Sequence, residues 1–88
     1  MSADLPIEAI LDTAHATFRV TPPHGRAVTF EVALRRDGRY RYSERYVVQM
    51  LGSWGDGFST HVSFEAAVRS ALARARKYAR AYSVARAA

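Results

Sequence analysis

Hydrophobic and polar residues alternate most regularly over residues 27–35. The side chains divide cleanly into two sets. One set is Val28, Phe30, Val32 and Leu34, and the other is Thr29, Glu31, Ala33 and Arg35. Because successive side chains of a strand point to opposite faces, this pattern predicts a strand with one face on the core.

Two neighbouring segments also predict strands. Residues 16–21 alternate and end at Pro22-Pro23-His24-Gly25, which predicts a turn. Residues 39–50 place their tyrosines, Val48 and Met50 on one face. A three-residue loop over residues 36–38 pairs Leu34 with Tyr40 and keeps the apolar side chains together, so we expect that hairpin register.

Helical spacing appears at both ends of the chain. Near the C-terminus, Ser63 is suited to cap a helix and Glu65 to its first turn. A stripe at about 100° per residue follows: Phe64, Val68, Ala71, Leu72, Ala75, Tyr78, Ala79 and Tyr82. In residues 4–14, Asp4 as a cap, Pro6 in the first turn and apolar residues at helical spacing predict a short N-terminal helix.

These elements predict one small α+β domain spanning residues 1–88, because a chain of this length supports a single core. We expect a three-stranded antiparallel sheet in the order α-β-β-β-α, with the short N-terminal helix and the long C-terminal helix packed on one face. Residues 58–62 are either the far arm of a loop or a short fourth strand.

The amino-acid composition excludes several kinds of functional site. The chain has no cysteine, which excludes disulfides, thiolate nucleophiles and sulfur-ligated metals. No segment resembles a secretion signal or a membrane span, so we expect a cytoplasmic protein without membrane contact. The three histidines lack metal-site spacing, and no catalytic set of side chains is indicated. We therefore expect no metal, no cofactor and no enzymatic activity.

The net charge of +5 comes almost wholly from arginine, because Lys77 is the only lysine. Either arginine's planar fork serves phosphate recognition or the coding sequence is GC-rich, and both explanations stay open. Three arginines, Arg69, Arg76 and Arg80, align on the outer side of the C-terminal helix, flanked by Arg74 and Lys77. This row is suited to contact phosphates or an acidic partner, or serves only as a solvated face.

A second basic surface is predicted on the sheet face away from the helices. It comprises Arg19, Arg35, Arg39, Arg41 and Arg45 around Glu31. Such charges bind a ligand or protect the sheet from aggregation. The glycine-rich loop over residues 52–58 presents Trp54 and Phe58, which either anchor a partner or close the end of the core.

The predicted layout, together with residues 21–32, resembles a double-stranded-RNA-binding domain. The start of the last helix departs from that family, since Thr60-His61-Val62-Ser63-Phe64-Glu65 stands where the family has a lysine-rich segment. The third strand and the loop after it are also longer. The similarity is one of layout, which does not transfer function.

The sequence therefore predicts a non-enzymatic basic domain that binds nucleic acid, or an accessory protein associated with nucleic acid, through its arginine-rich helix. The alternative is a protein–protein interaction module or small inhibitor that binds an acidic protein through the same arginines, the Trp54 loop or a sheet edge. A small oligomer such as a homodimer is compatible with either function.

Overall fold

The described residues form a five-stranded antiparallel sheet with one long helix across one face. The computed structural model describes residues 5–37, 43–52 and 59–82. The elements are β1 (Ile7–Leu11), β2 (His15–Val20), β3 (Val28–Asp37), β4 (Ser43–Met50), β5 (Ser59–His61) and α1 (Phe64–Ala81). Each strand pairs with the next along the chain. The small α+β architecture with an antiparallel sheet and a C-terminal helix is confirmed.

The predicted N-terminal helix is wrong, because residues 7–11 form β1 and pair with β2. Ile7, Ile10 and Leu11 fit a helical stripe, but five residues are too few for that period to exclude a strand. The turn after Leu11 returns the chain to β2, and the Asp12 backbone N–H donates to the His15 carbonyl at 2.7 Å. Pairing with β2 thus decides the conformation of an ambiguous segment.

The register of the β3–β4 hairpin differs from the predicted one. Leu34 lies opposite Tyr46, and Asp37 lies opposite Ser43, so the pairing is shifted from the expected Leu34–Tyr40 register. Tyr40 and the predicted bulge at Gly38 lie outside the described residues. The shift is six residues along β4, an even number, so the same side chains still face the core.

The fourth strand predicted as an alternative is present as β5, which pairs with β4. The sheet has five strands rather than three because β1 and β5 add one to each side. The predicted cap of α1 is confirmed: the Ser63 side chain accepts a hydrogen bond from the Ala66 backbone N–H at 3.1 Å. Glu65 lies in the first turn, as expected.

The core lies between α1 and the middle of the sheet. The sheet contributes Ala16, Phe18, Val20, Phe30, Val32 and Val48. The helix contributes a row of fully buried alanines: Ala67, Ala71, Ala75 and Ala79. The small side chains let the helix backbone approach the strands closely. The predicted stripe does not include Ala67. Its larger members, such as Phe64 and Leu72, are partly buried and pack against the core beside the alanine row.

The C-terminal end of α1 is joined to the turn between β2 and β3. The Tyr78 hydroxyl donates to the Arg26 carbonyl at 2.9 Å. The His24 backbone N–H donates to the Tyr82 carbonyl at 3.3 Å. Gly25 lies against the Tyr82 ring so closely that a Cβ at that position would come within 2.7 Å of the ring. The turn therefore needs glycine for this close approach.

Candidate functional site

Charge is divided unevenly between the two layers of the domain. Helix α1 contains one acid, Glu65, and five cations, which are Arg69, Arg74, Arg76, Lys77 and Arg80. The other residues whose side chains the structure describes contain four acids (Glu8, Asp12, Glu31 and Glu44) and four cations (Arg19, Arg26, Arg35 and Arg45). The net positive charge of the described chain therefore lies on the helix.

The outer row of α1 consists of Arg69, Arg76 and Arg80, all of which are exposed as the sequence predicts. With a rise of about 1.5 Å per residue, the row is roughly 16 Å long. Arg69 Nη2 lies 3.7 Å from Glu65 Oε1, and both side chains are largely exposed. An exposed ion pair of this kind contributes little free energy, so it restrains the Arg69 side chain only weakly. The acid stands at the N-terminal end of the row, and only cations follow it.

Arg80 also contacts the helix itself. Its Nε donates to the Arg76 carbonyl at 3.4 Å, one turn back along the last two turns of α1. This contact supports part of the alternative interpretation, in which the cations stabilise the negative end of the helix dipole. Lys77 is exposed beside the row and also lines a cleft next to it.

Arg74 is separated from the outer row. Its guanidinium carbon lies 5.3 Å from the centre of the Phe30 ring, a cation–π distance. Its Nη1 is buried without a hydrogen-bond partner among the described residues. The neighbouring cleft has a volume of about 370 Å³ and is lined by Phe30, Met50, Arg74, Lys77, Tyr78 and Ala81. The helical period explains why Arg74 lies apart from the outer row, because it is about 140° around the helix from Arg69.

The outer sheet face, on the side away from α1, is organised around Glu31. Glu31 Oε2 lies 3.1 Å from His15 Nε2, and Oε1 lies 3.4 Å from Arg35 Nη2. Gln49 Nε2 donates to Oε1 at 3.5 Å. Burial acts to raise the pKa of the Glu31 carboxyl, but the hydrogen bonds from His15 and Gln49 and the charges of His15 and Arg35 outweigh it. The pKa of Glu31 therefore lies below its ordinary value.

The predicted basic residues of the sheet are only partly brought together. Arg19 is exposed on β2, opposite Glu8 of β1. Arg35 and Arg45 face each other across β3 and β4. Arg39 and Arg41 lie outside the described residues. Sequence reasoning placed Glu31 among arginines but did not identify His15 and Gln49, because cross-strand neighbours follow from a register that the sequence did not determine.

The remaining candidate features give no further site. Trp54 and Phe58 lie outside the described residues. Within residues 5–37, 43–52 and 59–82, no three side chains of the metal-ligating types are grouped where they could hold an ion. The same part of the chain contains no helix with the length and apolar character needed to cross a bilayer.

Comparison with protein families, with curated proteins and with solved structures finds no match for this chain. The layout that resembled a double-stranded-RNA-binding domain is not retained, because a strand replaces the first helix and the sheet has five strands.

Proposed function

We propose that this chain is a non-enzymatic domain that binds nucleic acid through phosphate contacts made by the outer row of α1. The observation that carries the proposal is the division of charge: five cations and one acid on the helix, and equal numbers of both signs in the other described residues. A partner of high negative charge density is attracted to the helix side of the domain.

Guanidinium groups suit this role because their planar fork donates two parallel hydrogen bonds to phosphate oxygens. A row of roughly 16 Å is long enough to meet several phosphates of one strand, which advance about 3.4 Å per nucleotide along a duplex axis. Each contact releases counterions, so affinity arises without base recognition.

The outer sheet face is a weaker candidate for the same role. Its central acid, Glu31, is hydrogen-bonded to His15 and Gln49 and paired with Arg35. The carboxylate offsets nearby positive charge and repels phosphate. Arginines on this face therefore contribute less to nucleic-acid binding than those on the helix.

Fluorescence anisotropy tests the proposal with labelled duplex DNA, duplex RNA and single strands, each titrated at several salt concentrations. We expect binding whose logarithmic affinity falls by about 0.9 per logarithmic unit of salt for each duplex phosphate engaged. A variant with Arg69, Arg76 and Arg80 all changed to Ala loses most of this affinity and most of the salt dependence.

The matched control removes the same number of cations from the sheet, by changing Arg19, Arg35 and Arg45 to Ala. This variant keeps most of its affinity, and circular dichroism verifies that both variants fold. An equal loss in the two variants contradicts a site on the helix. Absence of binding to every nucleic acid at low salt contradicts the proposed function.

Labelled polyglutamate tests the alternative function, which is binding of an acidic protein. Suppose that polyglutamate binds, that no nucleic acid does, and that changing Arg69, Arg76 and Arg80 to Ala removes the polyglutamate binding. The outer row then binds an acidic protein rather than nucleic acid.

A further inference from the structure

Strand β1 forms one edge of the sheet, and its outer side has no partner strand among the described residues. The Thr21 N–H donates to the Pro6 carbonyl, and the Asp12 N–H donates to the His15 carbonyl. Because hydrogen-bonded pairs alternate along an antiparallel ladder, even-numbered residues of β1 direct their amides to β2. The backbone groups of Ile7, Ala9 and Leu11 therefore face outward.

This edge has few of the devices that normally prevent strand addition, chiefly Pro6 just before β1 and the charge of Glu8 within it. It carries no lysine and no bulge, and Glu8 is its only charged residue. Ile10 and Leu11 are 61% and 56% exposed, so large apolar side chains lie at the open edge. Exposed edges of this kind associate with further strands unless they are protected.

We propose that β1 pairs antiparallel with β1 of a second copy of this chain, around a two-fold axis at Ala9. In this register Ile7 lies opposite Leu11 of the second copy, and Glu8 lies opposite Ile10. No like charges face each other, and the two apolar ends cover one another. A second copy is the occupant because antiparallel self-pairing sets the outward backbone groups of the two Ala9 residues against each other and Ile7 opposite Leu11.

The hydrogen bonds that are already present fit this pairing. The Ile7 N–H donates to the Leu5 carbonyl at 2.7 Å, so it needs no acceptor from a partner. The pairing supplies two reciprocal bonds between the Ala9 residues. On each side it adds one bond from the Leu11 N–H to the Ile7 carbonyl of the second copy. The Ala9 groups, the Leu11 N–H and the Ile7 carbonyl are thereby used, and the Leu11 carbonyl at each end is left to solvent.

The two-fold axis is perpendicular to the sheet, so both helices lie on the same side of one continuous sheet. The two outer rows then face the same partner. This consequence rests on the proposed function, whereas the pairing of β1 does not depend on it.

Cysteine cross-linking tests the pairing, because the chain has no cysteine of its own. In an antiparallel hydrogen-bonded pair the Cα atoms are about 5.5 Å apart, within the range of a disulfide. Ala9→Cys forms a covalent dimer under mild oxidation, seen on a non-reducing gel. Ile7→Cys is the matched control and stays monomeric, because its two copies are about four residues apart along the strands.

A mixture of Ile7→Cys and Leu11→Cys chains adds a second positive result, since the proposed register sets these residues opposite each other. This mixture forms a disulfide-linked heterodimer, while each variant alone does not. Equal cross-linking of all three single variants, or none from Ala9→Cys, overturns the proposal.

Sedimentation equilibrium tests the pairing without cysteine, using the 9.8 kDa chain over a range of concentrations. We expect a reversible dimer. Ala9→Pro removes an outward N–H and shifts the chain to monomer, while Val62→Lys, at an exposed residue away from β1, leaves the dimer unchanged. A monomer at every concentration overturns the proposal, and it leaves nucleic-acid binding by single chains intact.

Discussion

The two outer surfaces of this domain both carry arginines, but they manage charge differently. On the sheet face, Glu31 contacts His15, Arg35 and Gln49, so opposite charges are joined within the surface. On helix α1, Glu65 is the only acid among five cations, four of which are exposed while Arg74 packs against the Phe30 ring. The comparison indicates that counting arginines does not identify a binding surface. What distinguishes the two surfaces is the balance of acids and cations on each.

The largest effect is expected at the contact that joins the two layers. Ala75 is fully buried between helix and sheet. Ala75→Leu inserts volume into a packed core and lowers the free energy of unfolding by about 1–3 kcal/mol. Urea denaturation measures the change. Ala73→Leu is the matched control, since Ala73 is exposed on the same helix. A similar loss in both variants contradicts the close approach of the alanine row.

The next effect concerns the connection between the layers at the end of α1. Gly25→Ala places a Cβ against the Tyr82 ring, and we expect a loss of about 1–2 kcal/mol in unfolding free energy. Thermal denaturation measures it. In the Tyr82→Gly background the same substitution costs much less, because the ring and the Cβ that the new methyl group would meet are both gone. An equal cost in both backgrounds indicates that the contact is not responsible.

A smaller effect is expected on the sheet face, where Glu31→Gln removes the central charge. The pKa of Glu31 is lower in the folded chain than in the unfolded chain. Its charge therefore stabilises the fold above the unfolded pKa, and this stabilisation is lost as pH falls through the folded pKa. We expect the variant to be about 0.5–1 kcal/mol less stable at pH 7. Urea denaturation shows the difference narrowing below about pH 4. A difference that does not narrow as pH falls assigns the loss to packing.

The smallest effect is expected on the helix face, where Arg69→Ala removes an exposed pair with Glu65. The unfolding free energy falls by about 0.3–0.5 kcal/mol at low salt and by less at 1 M salt. Urea denaturation at both salt concentrations measures this. A loss comparable to that of Glu31→Gln at high salt would show that the helix arginine has a structural role, and it would weaken the contrast between the two surfaces.

Much of the fold follows from short-range patterns. Ser63 and Glu65 mark the start of α1, and the helical stripe places Arg69, Arg76 and Arg80 on the outer side. The alternation around Val32 identifies a strand and its core face. Because the register error between β3 and β4 is an even number of residues, the predicted faces survive it.

The sequence by itself determined the class of the domain, the long helix and the excess of positive charge. Tertiary structure decided the conformation of residues 7–11, the pairing of β3 with β4 and the neighbours of Glu31 and Arg74. The physical reason is the separation along the sequence over which each interaction acts. Capping and periodicity act within a few residues of the chain, whereas strand pairing and side-chain contacts join residues far apart in sequence, where packing of the whole domain selects one arrangement.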